Sequence, residues 1–281
     1  MKCITILTCI HNNSVFIQNE NYLPIHVGKA LSDLDLHIQG DDSGDNISKK
    51  NDRYCELTAL YWAWKNLKDT ELIGLCHYRR YFDFHNQCKS WVPYTSFHIS
   101  KYKELNISIP QNIINRIYKG EVVVPKEINF PLSNYNQYCT CHISDDIRTL
   151  GTIIKEKCER KYYDSYYNMM YNSHKIKPFN MFIMKWDMFD KYCTWLFDIL
   201  NEFERRNNTM HYNGYQKRIY GFLSERLLNI FLDAEKTRYI QSPIILLEEN
   251  PNIERGFFRE KIRNFINHIS FTCDKISNFK L

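Results

Sequence analysis

Four short apolar runs rich in β-branched and large aliphatic residues punctuate this chain: KCITILTC at 2–9, ELIGLC at 71–76, EVVVP at 121–125 and FNMFIMK at 179–185. Between and after them, apolar residues recur at helical spacing. Leu57, Leu60, Tyr61 and Trp64 fall at i, i+3, i+4 and i+7 in a helix expected over 52–67. Phe189, Cys193, Leu196, Leu200 and Phe203 mark another over 189–204, and Ile219, Leu223, Leu227, Ile230 and Phe231 a third over 215–232. Strands without polar alternation are buried on both faces, and strands interleaved with amphipathic helices specify an open α/β sheet. Ligands of such sheets sit beyond the carboxyl ends of strands, so a site is expected in the loops after Cys9, Cys76, Pro125 and Lys185. A short helix is expected over 111–119, and 145–172 reads as helix interrupted by aromatics.

Several function classes are excluded by composition. No apolar run approaches the roughly 20 residues of a spanning helix. With 9 glycines in 281 residues, the chain holds neither a GxGxxG nor a GxxxxGK[ST] arrangement. A net charge of +5 is mild for a nucleic-acid binder, so no nucleic acid is expected as a partner. None of the ten cysteines forms a CxxC pair, and Cys9, Cys55, Cys76 and Cys193 lie inside apolar segments. Reduced core thiols and a cytoplasmic location follow as expectations. The apolar start ends at His11-Asn12-Asn13 without a cleavage site, unlike a signal peptide.

Two polar concentrations flank strand ends, at 40–56 and 77–82. His77, Arg79 and Arg80 follow a buried strand without a turn, which places a guanidinium near the top of the sheet. Arginine forks match phosphate oxygens; an ion pair with Asp42, Asp45 or Glu56 is the structural alternative. Asn46, Ser48 and Asn51 could grip a sugar or a base edge, and equally could be turn and cap residues.

The blocks DDSGDNISKKNDRYCELTALYWAWKN, ELIGLCHYRRYF, FNMFIMKWDMFDKYCTWLFDIL and GYQKRIYGFLSERLLNIFL resemble a bacterial polysaccharide-biosynthesis glycosyltransferase family. It was long catalogued as a domain of unknown function in capsule and O-antigen clusters, and includes a galactofuranosyltransferase domain of a bifunctional O-antigen polymerase. The resemblance runs from residue 2 to about 250, and makes 1–250 the expected catalytic domain. It implies a GT-A-like α/β fold, a Rossmann-related open mixed sheet flanked by helices. It also implies a nucleotide-sugar donor, most readily a UDP-sugar with UDP-galactofuranose a candidate, and a growing glycan or lipid-linked oligosaccharide as acceptor. On this reading Thr8 and His11 lie near the nucleotide. Asp42, Asn46, Ser48 and Asn51 surround base, ribose or sugar; Glu56 and His77 line the same site, and Arg79 and Arg80 hold the pyrophosphate.

Many GT-A enzymes carry a metal-binding Asp-x-Asp where this chain reads His77-Tyr78-Arg79, and Asp33-Leu34-Asp35 reads as a surface turn. No divalent metal is therefore expected, with Mg²⁺ or Mn²⁺ on Asp41, Asp42 and Asp45 as the fallback. Glu225 resembles the late acidic residue that serves as base, with Asp145 or Asp146 as alternatives. The structural alternative for Glu225 is an ion pair with Arg226 or Arg218. Asn180, Gln216 and His142 are candidate acceptor contacts, and His142 lacks partners for a zinc site. Rival readings are a non-catalytic glycan-binding or assembly subunit, and an RNA binder using HYRRYF.

The segment 251–281 is basic and amphipathic. Arg255, Arg259, Lys261, Arg263, Lys275 and Lys280 stand against Glu254, Glu260 and Asp274, with Phe257, Phe258, Ile262, Phe265, Ile266 and Ile269 interleaved. Such a segment is either a helix lying on a membrane surface, giving peripheral attachment to the inner face, or a last helix packed on the sheet.

Overall fold

The computed structural model describes residues 2–251 and 256–278; Glu254, Arg255 and Lys280 of the C-terminal charge pattern lie outside these. The strands are β1 (Lys2–Ile10), β2 (Tyr22–His26), β3 (Gln39–Gly40), β4 (Thr70–His77), β5 (Arg80–Phe82), β6 (Tyr94–His98), β7 (Val122–Pro125), β8 (Ile128–Asn129), β9 (Lys175–Ile176), β10 (Phe182–Lys185), β11 (Tyr239–Ser242) and β12 (Ile244–Glu248). The helices are α1 (Asn51–Tyr54), α2 (Leu57–Asn66), α3 (Gln111–Tyr118), α4 (Asn134–Cys141), α5 (Ser144–Lys157), α6 (Arg160–Tyr171), α7 (Trp186–Arg206), α8 (Ile219–Ala234) and α9 (Phe257–Asn278).

The central path runs β11-β7-β10-β4-β1-β2-β3, and β10 alone opposes its neighbours in direction. An extension leaves the end of β4 where His77 pairs with Arg80, and continues through β5 and β12 to β6. The fold is thus the mixed, mostly parallel α/β sheet flanked by helices that the four apolar runs specify.

Those runs are apolar throughout because both faces are covered. On β1, Leu7 and Cys9 join the core beneath α2, α7 and α8, while Ile4 and Ile6 join the opposite core. The same alternation places Ile73 and Leu75 on one side of β4 and Leu72 and Cys76 on the other. Gly74 lies where a Cβ would come within 2.9 Å of the Phe182 carbonyl oxygen, so β4 and β10 approach closely at that residue. Nearly every residue of α8 is buried, which makes it the helical centre of the larger core.

Two expected helices are broken. The helix expected over 52–67 stops at Tyr54 and restarts at Leu57, because Cys55 adopts φ 52°, ψ −131°. The 145–172 stretch divides into α5 and α6 at Cys158-Glu159. None of the ten cysteines is in a disulfide, and Cys55 is only half-buried rather than a core thiol.

Candidate active site

The break at Cys55 shapes the site. Asn51 spans it, its Nδ2 donating to the Cys55 carbonyl at 2.7 Å and to Thr58 Oγ1 at 2.9 Å. Gly221 of α8 gives Cys55 room, since a Cβ there would sit 3.2 Å from the Cys55 sulfur. The kink turns Cys55 and Glu56 out of the helical run toward the carboxyl ends of β1 and β4.

Two cavities meet at that point. The first, about 680 Å³, is lined by His11 after β1, by His77, Tyr78, Arg79 and Arg80 after β4, and by Arg218 before α8. Leu246, Leu247 and Glu248 of β12 close its far wall. The second, about 340 Å³, opens among Gln137, His142, Tyr215, Phe222, Glu225 and Arg226. Cys55, Glu56, His77, Arg80, Phe179 and Arg218 line both.

A strained turn builds the waist between them. Phe179 and Asn180 have φ of 70° and 58°, a left-handed pair that is costly for a bulky Phe and persists only where its surroundings fix it. Here they do so. His77 Nε2 donates to the Phe179 carbonyl at 2.9 Å, and the Phe179 N–H donates to Glu225 Oε1 at 3.0 Å. Asn180 Nδ2 donates to Ser224 Oγ at 2.7 Å and to Glu56 Oε1 at 3.2 Å. The end of β4, the start of α2 and the middle of α8 are tied through one short segment.

Charge is distributed unevenly over this frame. Among the described residues, Arg80 and Arg218 have no carboxylate within ion-pair distance; Arg80 lies 4.8 Å over the Phe179 ring and Arg218 Nε donates to Cys55 Sγ at 3.3 Å. Arg79 reaches Glu249 at 3.5 Å, and its buried Nε has no partner. Burial, followed by Arg80, holds His77 down at about 4, so it is neutral and donates to Phe179 through Nε2–H. Burial also lowers His11, with Arg218 and Arg79 adding to the effect, and raises Glu56 from its ordinary value. The first cavity is therefore a cationic hollow fitted to an anion. Of its carboxylates, Asp52 is bonded to Lys217 at 2.6 Å and Glu56 to Asn180, while Glu248 keeps a buried Oε2 without a partner; among the described residues no three His, Cys, Asp or Glu side chains cluster as a metal site would need.

The second cavity differs. The His142 ring stacks on Phe222 at 4.0 Å and on Tyr215 at 5.8 Å, and is held down at about 4 by burial and then Arg226. Tyr215, 59% exposed, offers a flat apolar face at the mouth. Glu225 Oε2 accepts from Arg226 Nη1 at 3.0 Å, the ion pair allowed for from the sequence, and Arg226 in turn holds Gln137 at 2.6 Å.

Of the sequence candidates, His11, Asn51, Glu56, His77, Arg79, Arg80, His142 and Glu225 line these cavities. Asn180 stands behind the waist, and Gln216 donates to the Cys141 carbonyl at 3.0 Å, beside His142. Others lie elsewhere. Thr8 precedes Cys9 and so faces the opposite side of the sheet, against Cys76 at 3.4 Å. Asp42 is exposed, and Asn46 spends its amide on the carbonyls of Asp42 and Gly44. Ser48 bonds buried Asp41, which accepts from the N–H groups of Gly28 and Lys29, while Asp45 accepts from Tyr61. The 41–48 loop is thus occupied with its own folding, and none of these residues lines either cavity. Asp145 pairs with Arg148 on the surface. Asp146 is buried beneath Tyr212, whose hydroxyl donates to it at 2.8 Å. Asp33-Leu34-Asp35 is exposed and lies in an irregular stretch rather than a turn.

Arg218, Phe179 and Cys55 have no counterpart among the sequence candidates as ligand-facing residues. One signal was available for Arg218. Lys217-Arg218 places two cations at a helix N-terminus, where the macrodipole disfavours them, and such local conflicts gather at functional sites.

The resemblance carried by the four sequence blocks holds at the family level. The chain belongs to the family described as a domain of unknown function, DUF4422, whose model matches residues 5–236. Its fold is similar to that of a solved structure titled WbbM bifunctional glycosyltransferase, in its apo form, with TM-score 0.77 and 28% sequence identity. The similarity covers 89% of this chain and 46% of that one, so the chain spans under half the length of that protein. No curated protein matches the chain.

Proposed function

We propose that this chain is a glycosyltransferase of GT-A-like architecture that moves a sugar from a nucleotide-sugar to a growing surface polysaccharide or lipid-linked oligosaccharide. The observation that carries this reading is the pair of cavities joined at one waist, guanidiniums lining the first and a carboxylate facing the second. The nucleotide diphosphate occupies the first cavity. Arg80 and Arg218 neutralise the charge that develops as the diphosphate leaves, in the role a divalent cation plays elsewhere. The acceptor sugar rests against Tyr215 and Phe222 in the second cavity, and Glu225 removes the proton from its attacking hydroxyl. Phe179 N–H and Arg226 hold the Glu225 carboxylate in one orientation. Each oxygen retains a lone pair for the acceptor. The donor is a UDP-sugar, with UDP-galactofuranose the first to test, and the reaction takes place on the cytoplasmic side of the membrane.

Glu56 gives a second reading for the base, because it lines both cavities and burial raises its carboxyl from its ordinary value. The test is UDP release and chain extension with a panel of UDP-sugars and a glycan extract. Glu225→Gln should lower kcat by about 100-fold or more with little change in donor KM. A larger kcat loss in Glu56→Gln than in Glu225→Gln would transfer the role to Glu56. Glycan binding without UDP release from any donor would make the chain a non-catalytic assembly subunit.

A further inference from the structure

Helix α9 has two unlike sides. One packs on the protein: Asn267 Nδ2 donates to the Asn129 carbonyl at 2.9 Å, Phe271 stacks on His174 at 4.6 Å, and Asp274 accepts from Ser133 N–H at 3.0 Å and Asn136 Nδ2 at 2.7 Å. The other side carries Phe258, Ile262, Phe265, Ile266 and Ile269, spaced i, i+4, i+7, i+8 and i+11. All are exposed, Phe258 at 77% and Phe265 at 65%. A stripe of this size is unusual on a free soluble surface.

Charge identifies what the stripe fits. Four cations of α9 stand against two acids, and both acids are on the protein side, Asp274 as above and buried Glu260 bonded to Arg263. Exposed Arg259 and Lys261 border the stripe on its two edges, so the outward face is apolar with a cationic rim. That is the pattern of a helix lying in the interface of an anionic bilayer, with the apolar face among acyl chains and the cations among phosphates. Among the described residues no helix is long and apolar enough to cross a membrane, so this contact is peripheral.

We propose that the outward face of α9 docks the protein on an anionic lipid bilayer. The surface also lies where a lipid-borne substrate would be useful. Asn267 holds Asn129, and the neighbouring Ile128 and Phe130 line the second cavity. His174, stacked on Phe271, bonds the Phe130 carbonyl at 2.8 Å. The docked helix therefore backs directly onto the wall of the proposed acceptor site. The docking itself stands apart from the transferase reading, because vesicle binding is measured without substrate.

The experiment is co-sedimentation of the full chain with phosphatidylcholine vesicles prepared with and without phosphatidylglycerol. Binding should require the anionic lipid and be largely reversed by molar salt. The double variant Phe258→Asp/Phe265→Asp should lose about tenfold or more in partition, with circular dichroism unchanged because both side chains are exposed. Arg259→Glu/Lys261→Glu, which leaves the apolar stripe intact, should lose about tenfold on anionic vesicles. Absence of vesicle binding, equal binding to neutral vesicles, or unaltered binding by both double variants would overturn the proposal. A concentration-dependent dimer lost in the Phe258→Asp/Phe265→Asp variant, without vesicle binding, would assign the face to a second copy instead.

Discussion

Arg218→Ala tests the anion-binding role proposed for this side chain, because it contributes little to folding. Its contacts are one N–H to the Cys55 sulfur and an approach of 5.9 Å to the Phe222 ring. Together these are worth under about 1 kcal/mol, and relief of a cation at the α8 N-terminus offsets part of that. The melting temperature should therefore move by no more than about 2–4 °C. A guanidinium fork on a diphosphate makes two charge-assisted hydrogen bonds, and their loss costs about 3 kcal/mol in all. That predicts a fall in kcat/KM of about 100-fold. Arg218→Lys keeps the charge but loses the fork, and should fall in between. Initial rates of UDP release across a donor series give the kinetic values. His11 supplies a substrate-free control: Arg218 helps to lower its pKa, so its imidazole titration, followed by NMR, should move upward in the alanine variant. A kcat/KM within about threefold of wild type would refute the assignment. So would a kinetic loss accompanied by melting many degrees lower, which would mean that Arg218 maintains the waist rather than binding the donor.

Three further outcomes are expected. Burial raises Asp146 from 3.8 to about 6, so the stability linked to its protonated form is full below about pH 3.8 and is lost as pH rises through about 6. Asp146→Asn should therefore stabilise the protein by ~1–2 kcal/mol near pH 7.5, less than the ~3 kcal/mol the shift would allow because the amide accepts more weakly from the Tyr212 hydroxyl than the carboxylate does. The gain should vanish near pH 4 in urea titrations, with activity retained; a gain that is independent of pH contradicts the cause given. Transfer should survive saturating EDTA and rise less than about twofold with Mn²⁺, whereas a loss to EDTA restored by Mn²⁺ would remove the arginines from their proposed role. Gly74→Ala forces a Cβ to 2.9 Å from the Phe182 carbonyl oxygen, where neither strand can give way, and should cost about 1–3 kcal/mol in denaturant unfolding.

The sheet was legible because β1, β4, β7 and β10 are buried on both faces and carry no polar alternation. The broken helix was not. Asp52 to Leu67 keeps its apolar period across Cys55, and only long-range packing against Gly221 and the amide of Asn51 selects the positive φ there. Strand β12 has the same apolar signature as the other runs, yet its place along the first cavity follows from pairing with β5 and β6, residues far away in sequence. His77, Arg79 and Arg80 were legible as residues lining the first cavity because they continue a buried strand. The polar loop at 41–48 misleads for a physical reason: the groups that could grip a sugar can also satisfy a tight turn, and here they do the latter.

The six residues common to both cavities make the two halves of this site inseparable for anyone altering its selectivity. On the proposed assignment of donor and acceptor, a substitution at Glu56, Phe179 or Arg218 changes the fit of both at once, so a gain in tolerance on one side carries an unplanned change on the other. Independent adjustment is confined to the outer walls. Leu246 and Leu247 bound the first cavity alone, and Ile128, Phe130 and Tyr215 bound the second alone. Donor preference should be engineered from β12 and acceptor preference from the β8 side, with the shared waist left as it is.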